Sequence, residues 1–206
     1  DTDGYQLSGS LLLYGAKFEA GANDVTGMPT AAYGAYLDYF VSGESFNLPA
    51  APTRPGYDFK GWKIGNAVLT AGAAYTVDED DMVFTAQWEA RTDTPYTVEH
   101  YLENLDGSYA LDTTEHLKGT TDTTVTAAAK SYDNFTYDST VPGTVASGNI
   151  AGDGSLVLKL FYTRNTYDYT VRHIKQLPDG SYDEANAEVE TLSGKFEALA
   201  AVTAKD

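Results

Sequence analysis

Apolar and polar residues alternate along much of this chain with the period of two that marks a half-buried strand. In the run Met82 to Trp88, the residues Met82, Phe84, Ala86 and Trp88 fall on one face. Tyr96, Val98, His100 and Leu102 share one side of the next run, and Thr97, Glu99 and Tyr101 share the other. Leu156, Leu158 and Leu160 line one face of a third, and Tyr57 and Phe59 line one of a fourth. Turn chemistry separates these runs. Asp106-Gly107 and Asp179-Gly180 are pairs that accept positive φ and close hairpins, and Gly152-Asp153-Gly154 is a third. Arg54-Pro55-Gly56-Tyr57 fits a type II turn, with proline at its second position and glycine at its third. Gly61 leaves space beside Trp62. Helical periodicity is nearly absent. Thr126–Lys130 alone predicts one or two helical turns, capped by Thr124 or Thr126. The pattern predicts small modules, each a hairpin, a short helical crossover and further strands.

The chain also copies itself. Tyr96–Tyr109 and Tyr169–Tyr182 are identical at eight of fourteen positions, at a constant offset of 73. The likeness continues from Thr114–Gly119 to Val189–Gly194 and from Val125–Ala127 to Val202–Ala204. A fixed period predicts stacked or strung modules. The boundaries read as 1–90, 95–165 and 166–206, the last a truncated second copy. This ending predicts a fragment of a longer protein. Residues 166–206 are expected to leave a sheet edge unpaired, and so to move or to pair with another molecule. Linkers at Glu89–Pro95 and Thr163–Thr166 are short and poor in Gly and Ser, which predicts limited swivelling.

Charge narrows the partners. Thirteen basic and thirty acidic residues give −17, and the excess is even: 4 and 12 in residues 1–90, 5 and 10 in 91–165, 4 and 8 in 166–206. Phosphate backbones and anionic membranes need clustered Lys and Arg, so nucleic acid and membrane surfaces are excluded as expected partners. An evenly acidic monomer that repels its neighbours is expected instead. With no cysteine, disulfide and thiolate chemistry are ruled out. The longest apolar run, Leu11–Tyr14, is too short to span a bilayer.

Residues 40–90 resemble the Listeria–Bacteroides repeat, or internalin B-repeat, of bacterial surface proteins. The resemblance rests on Ser42–Phe46, Pro52-Thr53-Arg54-Pro55-Gly56-Tyr57, Phe59, Gly61-Trp62, Tyr75-Thr76-Val77 and Thr85-Ala86-Gln87-Trp88, in order. Lys17–Gly21 takes the place of that family's first strand. Tyr33–Phe40 reads as an insertion, and residues 1–10 match nothing. Residues 95–165 resemble the mucin-binding-protein type repeats of Gram-positive surface proteins, through Tyr96–Tyr101, Asp106-Gly107 and Leu158–Tyr162. Both resemblances imply a mainly β, α+β fold of tandem β-grasp-like (ubiquitin-like) modules in an elongated array. They imply an extracellular, wall-attached adhesin stalk, with mucin glycans or host surface proteins as the partners of such proteins.

Candidate sites compete with structural roles. His100 and His173 hold equivalent positions one module apart, so they read as packed or hydrogen-bonded residues rather than catalytic ones. His116 has Thr191 as its counterpart. Asp78-Glu79-Asp80-Asp81 is acidic enough for calcium but lacks the alternating ligands and glycine of a calcium loop, so it reads as a solvated turn. Trp62 and Trp88 could serve as sugar platforms, yet the alternation places them in a core. Tyr101, Tyr109 and Tyr182 are the candidate exposed contacts for glycan or protein. No catalytic triad, phosphate loop or zinc cluster is present, and no cofactor is implied. No residue spacing points to a lysine–asparagine or lysine–aspartate crosslink, and Asn134-Phe135-Thr136 matches a glycosylation acceptor only by composition. The expectation is a non-catalytic stalk that presents a binding tip. The alternative is a ligand-binding module, with an enzyme third.

Overall fold

A computed structural model describes residues 11–78 and 80–205. The unmatched residues 1–10 lie outside the described residues, as do Glu79 and Asp206. The chain forms two compact units. The first holds the residues up to Pro95 with Lys118–Thr123 and Ile150–Ser155, and the second holds Tyr96–Leu117, Thr124–Asn149 and the residues from Leu156 onward. Both are built from strands. Among the described residues the only helical element is a 3-10 turn at Glu184–Asn186, capped by the Asp183 carboxylate, and no helix is long and apolar enough to cross a membrane.

In the first unit, β1 (Tyr14–Glu19), β2 (Asp38–Phe40), β4 (Tyr57–Ile64), β5 (Ala67–Leu69) and β7 (Met82–Ala90) form one sheet in the order β2-β1-β7-β4-β5. A separate ribbon pairs β3 (Ser45–Asn47) with β6 (Ala74–Thr76). β1 and β7, the first and last strands, lie side by side and parallel; the other pairs in this sheet are antiparallel. The alternation of β7 buries Met82, Phe84 and Ala86 against Ala16, Leu48, Trp62 and Val77. Phe18 stacks on Phe84 at 4.9 Å, and its ring meets Trp62 edge-on at 4.9 Å. The ladder shifts register between Phe59 and Gly61, where Gly61 adopts φ 140°. A Cβ at this position would stand 2.6 Å from the Leu69 carbonyl oxygen. The glycine therefore makes room for β5, not for Trp62 as its sequence neighbour suggested.

The Arg54–Tyr57 turn closes with the Tyr57 amide donating to the Arg54 carbonyl, and Gly56 takes φ 73°. Its tip meets the two loops that belong to the same unit. Thr94 and Thr121 are buried with their hydroxyls 2.7 Å apart, and the Thr121 hydroxyl donates to the Gly56 carbonyl at 2.8 Å. Gly152 lies so close to this turn that a Cβ there would fall 2.2 Å from the Pro55 carbonyl oxygen. Tyr57 donates to Asp122, and the Arg54 guanidinium sits 3.6 Å over the Tyr57 ring.

The second unit carries β8 (Thr94–Glu103), β9 (Tyr109–Gly119), β11 (Phe135–Tyr137) and β13 (Val157–Arg164) in one sheet, ordered β11-β13-β8-β9. Again the first and last strands, β8 and β13, are parallel neighbours, with Leu158 opposite Val98 and Leu160 opposite His100. β10 (Thr124–Thr126) pairs with β12 (Ser147–Asn149), and β14 (Thr166–His173) pairs with β15 (Glu188–Lys195). The helical turns expected at Thr126–Lys130 do not form. Thr126 belongs to β10, the Ala127 amide donates to the Ala146 carbonyl at 2.8 Å, and the Lys130 amide donates to the Tyr162 hydroxyl at 2.8 Å. Three alanines give only a weak helical preference, and these long-range bonds override it.

The hairpin turns repeat with their atoms. Gly107 and Gly180 take φ 83° and 86°. Asp106 accepts from the Ser108 amide and hydroxyl at 2.9 and 2.6 Å, and Asp179 accepts from Ser181 at 3.0 and 2.6 Å. The serine after each Asp-Gly pair thus fixes the turn. Its hydrogen bonds hold both aspartates below the usual carboxylate range.

Candidate functional site

β8 places His100 on the buried face of its sheet because Val98 and His100 share one side of the alternation. Its Nδ1 lies 2.9 Å from the Tyr162 hydroxyl, and its Nε2 lies 3.0 Å from the Glu115 carboxylate. The Glu115 carboxylate can only accept, so in the neutral ring Nε2–H donates to it and Nδ1 accepts from the Tyr162 hydroxyl, which itself accepts from the Lys130 amide. The His100 hydrogen bond and the Lys130 amine, 3.2 Å away, hold Glu115 below the usual glutamate range. His173 in β14 repeats half of this arrangement, with Nε2 3.2 Å from Glu190. The sequence copies align Glu115 with Glu190, so the pair is a repeated internal contact. His116 stands exposed on β9.

The acidic turn has an internal use. Asp81 accepts from the Gly15 amide at 2.6 Å and from the Tyr36 hydroxyl at 3.4 Å, tying the start of β7 to β1. Glu79 lies outside the described residues. Among those described, no group of three or more His, Cys, Asp or Glu side chains gathers to hold a metal. Trp62 is fully buried and donates to the Pro49 carbonyl at 3.1 Å. Trp88 is half-buried, donates to the Ala20 carbonyl at 2.8 Å and packs edge-on against Phe59.

Two of the three tyrosines named from sequence are not free contacts. Tyr101 stacks on Phe161 at 4.9 Å and donates to Glu99 at 2.6 Å; Tyr109 meets Phe161 edge-on at 5.2 Å. A phenylalanine on the outer face of β13 gathers them, which alternation alone does not reveal. Tyr182 is 61% exposed, and Tyr33 and Tyr39 form a further exposed pair with ring centroids 6.0 Å apart. Asn134 accepts from the Tyr167 hydroxyl at 2.9 Å, so its amide is engaged within the fold. Lys17, Lys60, Lys130, Lys159, Lys195 and Lys205 each pair with a glutamate, not with the asparagine or aspartate a crosslink uses.

One cluster was not legible in the sequence. Glu103, at the end of β8, is buried and accepts from the Arg164 amide at 2.9 Å and from the Lys195 amine. The Arg164 guanidinium donates to the carbonyls of Glu103 and Phe196 and lies 5.0 Å over the Phe135 ring. The Phe196 amide donates to the Asn165 carbonyl at 2.9 Å. In the first unit the Thr121 amide donates to the Arg91 carbonyl at 3.0 Å, the same kind of bond after the preceding long strand. Burial pushes the Glu103 carboxyl up, but the Lys195 and Arg164 hydrogen bonds and charges outweigh it, leaving it below the usual glutamate range. A lowered folded value means this contribution is present above the ordinary glutamate pKa, about 4.3, and is lost as pH falls through the folded value. The thermal midpoint of the second unit is expected to drop as pH goes from about 5 toward 3. In Glu103→Gln this slope should flatten, with roughly 1–3 kcal/mol lost at neutral pH. An unchanged slope would show that the cluster contributes nothing to the pH dependence.

No family model matches the chain, and no curated protein matches it. Among solved structures it is similar to domains 3–4 of the Streptococcal High Identity Repeats in Tandem of a cell surface protein. The identity is 15%, the match covers 74% of this chain and 98% of that one, and the TM-score is 0.24.

Proposed function

We propose that this chain is a non-catalytic repeat region of a bacterial cell-surface adhesin, spacing and presenting a binding tip outside the cell wall. The observation that carries the reading is the recurrence of His100–Glu115 as His173–Glu190. In each copy the histidine, the group best suited to acid–base chemistry, is hydrogen-bonded to a glutamate of the neighbouring strand, and this recurrence suits a structural contact of a repeated unit. The parallel pairing of first and last strands, β1 with β7 and β8 with β13, supports β-grasp-like modules in tandem. It also supports the likeness to internalin B-repeats and mucin-binding-protein type repeats. The acidic surface keeps neighbouring stalks apart.

A second reading, a module that binds mucin glycans or a host surface protein, is favoured by the exposed rings of Tyr33, Tyr39 and Tyr182. A mucin-glycan array probed with the 206-residue chain separates the two. Silence across the array is the expected result. Saturable binding to a defined glycan, lost on changing Tyr33, Tyr39 and Tyr182 together, would replace the spacer reading with the binding one.

A further inference from the structure

The module that begins at β8 has both of its ends inside the chain. Residues 91–93 join β7 to β8, and Asn165 alone separates β13 from β14. A pull along the chain therefore enters at the start of β8 and leaves at the end of β13. These strands are parallel neighbours at the centre of their sheet. Six residues of each lie in register, from Thr97 opposite Val157 to Leu102 opposite Tyr162. Because the strands run the same way, drawing the start of β8 away from the end of β13 slides one lengthwise along the other. The evenly spaced rungs of a parallel ladder then bear the load together, whereas strands parted from one end lose their rungs one at a time. Side chains cross the same interface on both faces. On the inner face Val98, His100, Leu158, Leu160 and Tyr162 are buried, and the Tyr162 hydroxyl meets His100 Nδ1. On the outer face Tyr101 stacks on Phe161 at 4.9 Å, and the Lys159 amine lies 3.5 Å from the Glu99 carboxylate. Where the chain leaves β13, Arg164 Nε donates to the Glu103 carbonyl at 2.7 Å and the Arg164 amide to the Glu103 carboxylate at 2.9 Å. In the first unit β1 and β7 repeat the arrangement over four residues, from Ala16 opposite Met82 to Glu19 opposite Thr85, with Phe18 stacked on Phe84.

We propose that the β8–β13 pair is a shear clamp through which its module carries tension along the chain, with β1–β7 as a shorter clamp in the first unit. The proposal deepens the spacer reading and rests on it for the source of the load, because a tip held outside the cell pulls on the modules that present it. Resistance to such a pull is a matter of unfolding rate under force rather than of equilibrium stability. The clamp supplies it without a covalent crosslink, since the lysine at this interface pairs with a glutamate.

The test pulls the 206-residue chain in optical tweezers along two directions. The chain has no cysteine, so handles attach only at thiols placed on the exposed residues Thr92, Ser155 and Thr166. Thr92→Cys with Thr166→Cys loads the start of β8 against the end of β13 and shears the pair. Thr92→Cys with Ser155→Cys loads the starts of both strands and peels them apart. At one pulling speed the sheared pair is expected to yield at severalfold higher force than the peeled pair. Adding Tyr101→Ala, which removes the stack on Phe161, should speed yielding at a fixed shear load by about two- to tenfold. Equal forces in the two directions, or a lower force in shear, overturn the clamp whatever the glycan array returns. Binding on the array removes the spacer reading and leaves the force ratio unchanged, so the two failures are told apart.

Discussion

Trp62→Ala is expected to cost the first unit about 3–5 kcal/mol, the range for truncating a large buried aromatic. The indole is fully buried, its N–H is satisfied by the Pro49 carbonyl, and the rings of Phe18 and Phe59 meet it edge-on at 4.9 and 5.3 Å. Removing it takes away transfer free energy and leaves a cavity that this aromatic lattice cannot close. A module of this size has little stability in reserve, so the variant should unfold at markedly lower urea. Trp88→Ala should cost less, because that ring is only half-buried. Urea unfolding followed by far-ultraviolet circular dichroism reads both. A loss below about 1 kcal/mol for Trp62→Ala would contradict a packing role and reopen the ring as a ligand platform.

How far the fold could be read from sequence follows from what alternation encodes. It encodes which face of a strand is buried, and Met82, Phe84, Ala86, Val98, His100, Leu158 and Leu160 all lie inside as their pattern requires. Pairing partners are not encoded locally. That β1 joins β7, and β8 joins β13, in parallel depends on segments some sixty residues apart meeting. The Thr126–Lys130 segment looked helical because alanine is a good helix former, yet its amides are claimed by Ala146 and Tyr162, which no local window contains. Glu103 failed for a related reason. A carboxylate at a strand end reads as solvated until Arg164 and Lys195 are brought to it from far along the chain. The repeat was the stronger guide. Aligning the copies paired Glu115 with Glu190, and both glutamates hydrogen-bond their equivalent histidines. Hydroxyl partners remained invisible, because a tyrosine in a strand does not announce which buried nitrogen it serves.

That hydroxyl is the subject of the second large effect. Tyr162→Phe should destabilise the second unit by roughly 2–4 kcal/mol although it removes a single oxygen atom. The phenyl ring keeps the contacts of Tyr162 with Tyr132 and Tyr137, at 4.8 and 5.8 Å, so packing is nearly conserved. What disappears is a node with two neighbours. The Lys130 amide loses its acceptor and His100 Nδ1 loses its donor, the latter in a fully buried ring. An unmade buried hydrogen bond costs the desolvation of the group left behind, which exceeds the net gain from making it. The companion variant His100→Phe separates the contributions. In a double-mutant cycle, Tyr162→Phe placed on His100→Phe should cost less than on the native chain, because only the Lys130 amide is then orphaned. Equal costs in the two backgrounds would mean that the histidine and tyrosine are not coupled. The His–Glu pair would then be separate from the tyrosine.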